Sequence, residues 1–296
     1  MVRPFRFAVN MVTPAEGEEW RTQCRRAEEL GYDVILVPDH LGMVAPFPAL
    51  IAAAEATERP RLGTFVLNAA FWNPALLARE IATVDALTGG RLEVGLGTGY
   101  VKEEHERAGL EFLPPGRRVD LLARTVEEVG RLLADEDHVP RAVQRPRPPL
   151  LIGGNGDRVL RLAAEHADIA AFTGARTTRD GALLPLTAEE LDERVAAYRS
   201  FEAAAGRETP AELNLLVQAP AVTDDRQAAA KELLPRIPHL TEEQLLELPL
   251  LTIGTVEEIA AQLRAQRERY GFSYITVLDP YMEAFGPVVE ELSARA

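Results

Sequence analysis

Eight times along this chain a short apolar run gives way to a stretch of helical character, and that rhythm leaves few folds open. The runs occupy residues 5–10, 33–37, 61–68, 91–97, 149–154, 168–174, 212–219 and 273–279. Their cores, such as "VILV" and "PLLIG", are apolar throughout and do not alternate with polar residues. A strand of that kind is buried on both faces, which is the condition of a parallel sheet covered by helices. Helical segments lie between the runs, at 14–30, 47–57, 74–87, 117–134, 157–166, 188–205 and 255–270 among others. The punctuation agrees: Gly31 stops the first, Pro74 suits the opening turn of the third, and Gly89-Gly90 closes it. The alternation predicts an α/β fold, a (β/α)8 barrel with insertions after strands four, six and seven. An open doubly wound sheet could use such strands. No linker or shift of composition divides the chain, however, so a single domain over residues 1–296 is expected.

Acidic residues outnumber basic ones, 46 to 32, giving a net charge of −14. That balance argues against nucleic acid and anionic membrane as partners. No apolar run approaches the ~20 residues of a membrane span, and the first residues lack a secretory leader's apolar stretch and cleavage site. A cytoplasmic protein is expected. The single cysteine, Cys24, has no ligand-like neighbours, so no metal site is expected and Cys24 reads as a small buried hydrophobe.

In a barrel of this kind the chemistry collects at the C-terminal ends of the strands. Strand two ends in "ILVPDHLG", placing Asp39 and His40 at the rim directly after a buried run. Imidazole titrates near neutral pH and suits acid–base work; the alternative is a histidine that bonds its own loop. Asp39 either orients that imidazole or caps the loop. Strand three is followed by "NAAFWNP", whose Phe71 and Trp72 either stack on a ligand or pack within the loop. Strand five runs into Gly153-Gly154-Asn155-Gly156 and then a helix start. Glycines there let a ligand approach the backbone, and free N–H groups attract phosphate. Asp157, at the head of that helix, argues mildly against an anion.

"GLGTGY" (95–100) fails the dinucleotide-binding pattern, because its sixth position is Tyr100 and no helix opens at once. Gly95 and Gly97 either make room for a flat ligand or satisfy barrel packing. The polar residues Glu103, Glu104 and His105 read as a mostly solvated helix face.

Four stretches, in order over most of the chain, carry a family resemblance: "RAEELGYDVILVPDHL", "NPALLAREIATVDALTGGRLEVGLGTGY", "EEHERAGLEF" and "PPLLIGGNGDRVLRLAAEHADIAAFTG". Together they resemble the luciferase-like monooxygenase superfamily, and within it the branch that uses coenzyme F420, a 5-deazaflavin. The resemblance implies a deazaflavin ring at the barrel mouth, against the ends of strands three and four. It implies a bulge around Thr64–Leu67, often with a non-proline cis peptide, so that Val66, Leu67 and Asn68 back the ring while Gly97, Thr98 and Gly99 line it. Gly153, Gly154, Asn155 and Gly156 would take the cofactor phosphate. Asp39 and His40 would stand beside the ring.

The chain also departs from the family's sugar-phosphate dehydrogenase. Tyr100 stands where that enzyme has a carboxylate, and Met43-Val44-Ala45 where it has a tryptophan. A more apolar pocket is expected instead, from Met43, Val44, Phe47, Phe71, Trp72 and Tyr100, with Asn10 also lining the substrate site. His40 and Tyr100 are the candidate catalytic residues, exchanging the substrate proton while hydride moves to or from the deazaflavin. The alternative is an FMN-dependent monooxygenase fed by a partner reductase. A barrel that has lost its pocket and serves only as a partner subunit is disfavoured by the intact Asp39-His40 pair and glycine turn. A homodimer is expected from the resemblance alone.

Overall fold

The computed structural model describes residues 3–177, 183–237 and 240–294. Strands β1 (Arg6–Asn10), β2 (Val34–Val37), β3 (Arg61–Thr64), β4 (Leu67–Asn68), β5 (Leu92–Gly97), β6 (Leu150–Gly153) and β7 (Ile169–Phe172) follow one another around a barrel. β8 (Ala175–Thr177) and β9 (Leu183–Pro185) form an antiparallel ribbon of their own. β10 (Glu212–Val217) returns to the barrel, β11 (Ala221–Val222) and β12 (Ile253–Gly254) pair apart from it, and β13 (Phe272–Leu278) completes it. The barrel order is β3-β2-β1-β13-β10-β7-β6-β5-β4, all parallel, and β5 also pairs with β3. β3 and β4 are two halves of one wall, so the circuit closes with eight strands as the alternation predicts.

The helices are α1 (Gly17–Glu29), α2 (Pro46–Ala56), α3 (Pro74–Leu87), α4 (Lys102–Arg107), α5 (Pro115–Ala134), α6 (Asp157–His166), α7 (Ala188–Ala205), α8 (Arg226–Leu233), α9 (Glu242–Leu246), α10 (Val256–Tyr270) and α11 (Met282–Ser293). Local chemistry starts several of them. Asn73 accepts from the Ala75 and Leu76 N–H groups ahead of Pro74, and Thr187–Glu190 and Thr255–Glu258 form reciprocal capping boxes. Among the described residues no helix is long and apolar enough to cross a membrane.

The strands divide their side chains between two regions. Phe7, Val9, Ile35, Val37, Leu62 and Leu67 face outward into the main core, where Leu77, Ile81, Leu122 and Val126 of the helices meet them. Cys24 is fully buried in that core, and burial pushes its thiol up to about 12. Ala8, Val34, Leu36, Leu151, Ile169, Ala171, Leu216 and Tyr274 face inward and fill the barrel.

The N-terminal end of the barrel is closed by charge. Arg6 donates to Glu93 at 2.8 and 3.2 Å and lies 3.2 Å from Glu212; Arg61 donates to Glu93 at 2.6 Å. The Arg6 guanidinium also sits 4.2 Å from the centre of the Tyr274 ring. Burial alone would lower the Arg6 pKa, but Glu93 foremost, with Tyr274 and Glu212, outweighs it and holds the group above its ordinary value. Burial holds the Glu212 carboxyl above its ordinary range despite Arg6. The arrangement is a plug whose members depend on one another for compensation.

Two features differ from the expected elements. The stretch 61–68 reads as one strand, yet it breaks at Phe65-Val66, where the peptide bond is cis. This is the place where the resemblance implied a bulge. The helix face read at Glu103–His105 is present as α4, six residues inside the insertion after strand four. The β8–β9 ribbon was not predicted. The insertions after strands six and seven are present but run partly through 178–182 and 238–239, outside the described residues.

Arg6→Ala leaves Glu93 and Glu212 short of a counter-charge at the closed end. Urea unfolding should show a loss of about 3 kcal/mol, in the range for breaking a buried pair; a loss under about 1 kcal/mol, the scale of a surface ion pair, would show that the plug is not needed.

Candidate active site

The wall of the mouth is built at the break in strand three. The Thr64 hydroxyl donates to the Gly95 carbonyl at 3.0 Å and accepts from the Gly95 N–H at 2.8 Å, so a side chain bridges β3 and β5 where the backbone ladder stops. Phe65 and Val66 both lie with the inner cluster. A Cβ on Gly95 would lie 2.1 Å from the Thr64 carbonyl oxygen, and one on Gly97 would lie 2.6 Å from Val66 Cγ2. Both glycines are therefore demanded by packing against the break. The space in front of both glycines is taken by Thr64 and the Val66 side chain, so Val66 itself forms this part of the inner wall. The Leu67 side chain is fully buried in the outer core, so any contact it offers a ring comes from its backbone.

His40 stands just beyond β2. Its Nδ1 lies 2.9 and 3.1 Å from the two oxygens of Glu104. A carboxylate only accepts, so Nδ1 carries the proton and Nε2 is left for other work. Glu104 comes from α4, and its side chain is only 14% exposed. This corrects the solvated-face expectation for two of the three residues. Glu103 is exposed, but Glu104 turns toward His40 and His105 is 1% exposed. The carboxylate at His40 is thus supplied four residues beyond Tyr100.

Tyr100 meets the His40 ring edge-on at 5.8 Å between centres and remains 54% exposed. Partial burial, and then the Glu104 charge, hold its phenol above the usual range.

Asp39 is an anchor. Its Oδ2 accepts from Trp72 Nε1 at 2.9 Å and from the Asn68 N–H at 3.2 Å. Burial pushes its carboxyl up, and these two hydrogen bonds oppose the shift. The Trp72 indole is thereby committed to Asp39 and to the Phe47 ring, edge-on at 5.3 Å, rather than to an open pocket. Phe71 leans on His105 at 5.4 Å. Met43 lies on the rim, 36% exposed, with its N–H on the His40 carbonyl. Asn10, at the end of β1, is 4% exposed, and its Oδ1 is buried without a hydrogen-bond partner.

Gly99 has φ of +65°, and a Cβ there would lie 2.3 Å from Asn68 Oδ1, so the chain passes Thr98 and Gly99 tightly against Asn68. Arg118 of α5 holds this turn by donating to the Gly99 carbonyl.

The second part of the site is the β6–α6 turn. Gly154 has φ of +149° and donates to the Ala171 carbonyl. Asn155 Nδ2 donates to Thr173 Oγ1 at 2.8 Å and to the Ala175 carbonyl at 2.5 Å, while its Oδ1 is buried and unpartnered. Gly156 precedes α6 with no side chain capping the first turn. Asp157 pairs with Arg194 at 2.5 Å, so the acid that argued against an anion has its own counter-charge. An uncapped helix start beside glycines fits a phosphate. The mouth walled by Val66 and this turn together fit a ring-and-phosphate cofactor.

Comparison with known proteins follows the same lines. Residues 1–249 match the family model described as luciferase-like monooxygenase. An uncharacterised protein of Mycobacterium tuberculosis is 26% identical over 225 residues, 65% of this chain and 74% of that one. The oxygenase component of the flavin-dependent trigonelline monooxygenase of Acinetobacter baylyi is 30% identical over 162 residues, 48% of this chain and 44% of that one. The coenzyme F420 dependent tetrahydromethanopterin reductase of Methanopyrus kandleri superposes with a TM-score of 0.78 at 16% identity, over 99% of each chain, a likeness of fold.

The raised Asp39 carboxyl gives a signed pH prediction. A folded-state value above the unfolded one means that ionised Asp39 costs stability above the folded value. That cost is relieved as pH falls through the folded value toward the ordinary carboxylate value, below which both states are protonated. Wild type should therefore gain stability relative to Asp39→Asn as pH falls through that window. Equal pH slopes for the two proteins in thermal melts would refute the assignment.

Proposed function

We propose that this chain, which belongs to the luciferase-like monooxygenase family, is an oxidoreductase that exchanges a hydride between coenzyme F420 and a small hydrophobic organic substrate. The observation that carries this reading is the His40–Glu104 pair at the barrel mouth, with Tyr100 against it. Hydride exchange with an organic substrate moves a proton as well, and these are the groups placed to handle one.

When bound, the deazaflavin supplies the carbon that gives or takes the hydride. The remaining work falls on the chain. Val66, seated against Gly95 and Gly97, forms the wall on which a ring would lie, and Gly99 lets Asn68 close its edge. The Gly153–Gly156 turn and the uncapped start of α6 hold the phosphate. His40 exchanges the substrate proton at Nε2, and Glu104 fixes the ring by accepting from Nδ1. Tyr100, whose phenol is protonated near neutral pH, is a second donor at the rim. Met43 and Leu41, both partly exposed beside His40, make that rim apolar and favour a hydrophobic substrate.

A second reading, an FMN-dependent monooxygenase supplied by a reductase, is favoured by the flavin dependence named for the Acinetobacter relative. The flat wall and phosphate turn serve it equally. Fluorescence titration separates the two. Deazaflavin binding in preference to FMN is expected; micromolar FMN binding with no deazaflavin affinity overturns the first reading. Across a panel of hydrophobic alcohols and enones, His40→Ala should lower turnover by about 10²-fold or more while cofactor affinity changes little. Unchanged turnover removes His40 from the reaction.

A further inference from the structure

His105 is the most deeply buried histidine near the mouth, and the proposed proton exchange makes no use of it. It is 1% exposed and sits between two rings, Phe71 at 5.4 Å and Phe112 at 5.0 Å. Its Nδ1 lies 2.9 Å from the Val101 carbonyl oxygen, at the start of α4. Its Nε2 lies 3.4 Å from Asn68 Nδ2.

These partners decide where the proton is. A carbonyl only accepts, so Nδ1 must donate. Asn68 Oδ1 already accepts from the Ala70 N–H at 3.1 Å, which leaves the amide nitrogen facing His105. Nε2 must therefore accept. His105 is held as one neutral tautomer with both nitrogens used.

Asn68 also donates its backbone N–H to Asp39. One residue thus grips the chain neighbour of His40 on one side and the chain neighbour of Glu104 on the other. Phe112, against His105, lies under the Arg118 guanidinium at 4.6 Å, and Arg118 donates to the Gly99 carbonyl beside Tyr100. Every segment that carries a member of the His40–Glu104–Tyr100 group is tied to this buried knot. α4 has only six residues, too few to hold its own geometry.

We infer that His105 is a positioning residue: through Val101 and Asn68 it fixes α4 so that Glu104 meets His40 Nδ1. The inference rests on the reading of the His40–Glu104 pair as the proton-handling group. Its test is read on cofactor-free protein, so it stands or falls apart from turnover.

The measurement is nitrogen-15 NMR of the histidine rings. In wild type, His105 should show the Nδ1–H tautomer, and the His40 Nδ1–H should be protected from exchange by Glu104. His105→Phe keeps the packing between Phe71 and Phe112 but removes both nitrogens. It should speed exchange of the His40 Nδ1–H by at least about tenfold with the melting transition still cooperative. His105→Gln, whose amide can donate to Val101 and accept from Asn68, should retain protection. If His105→Phe does not fold, His105→Leu is read the same way. An Nε2–H tautomer at His105 in wild type overturns the inference. So does a folded Phe or Leu variant in which the His40 signal is as protected as in wild type.

Discussion

Where β3 stops, the side chain of Thr64 takes over from a backbone ladder, and the shape of the mouth follows from that exchange. The hydroxyl uses both of its capacities on one residue, Gly95. The neighbouring strand must then come close enough that Gly95 and Gly97 have no space for a Cβ. Val66 enters the barrel, Leu67 returns to the outer core, and Asn68 is delivered to the rim. A wall formed by Val66 over two glycines, and an asparagine with three committed groups, are products of one local event.

The two ends of the barrel divide stability and chemistry in the way parallel barrels allow. At the N-terminal end, Arg6, Arg61, Glu93, Glu212 and Tyr274 close the interior with mutually compensated charge. At the C-terminal end, polar groups are held by neighbours while keeping one atom free. His40 uses Nδ1 and leaves Nε2; Asn155 uses Nδ2 and leaves Oδ1. Rigid support with a spare valence is what a binding site requires, since an immobilised group loses little entropy on meeting a ligand.

Much of this was legible in the sequence because its signals are local. Doubly buried strands announce themselves as apolar runs, and α6 and α7 begin and end where periodicity and flanking residues place them. His40 was found by position alone, as the imidazole directly after a buried run. What stayed hidden depends on long-range pairing. Nothing in "VKEEHERAGLEF" says which glutamate turns inward, since the partner of Glu104 lies 64 residues earlier. The break at Phe65-Val66 hides within a run that reads as one strand, and the resemblance located it where periodicity did not. Gly95 and Gly97 were noticed for their spacing, but only the approach of Thr64 and Val66 explains them. Trp72 looked like a free aromatic because its hydrogen bond to Asp39 crosses from another loop.

Under the proposed function this mouth takes a deazaflavin in preference to FMN. The most direct test is to express the chain in a host that makes both coenzyme F420 and FMN, purify it, and identify the released cofactor by absorption and mass. Deazaflavin recovered in preference to FMN is the predicted result. FMN recovered alone, from a host with ample deazaflavin, would contradict it.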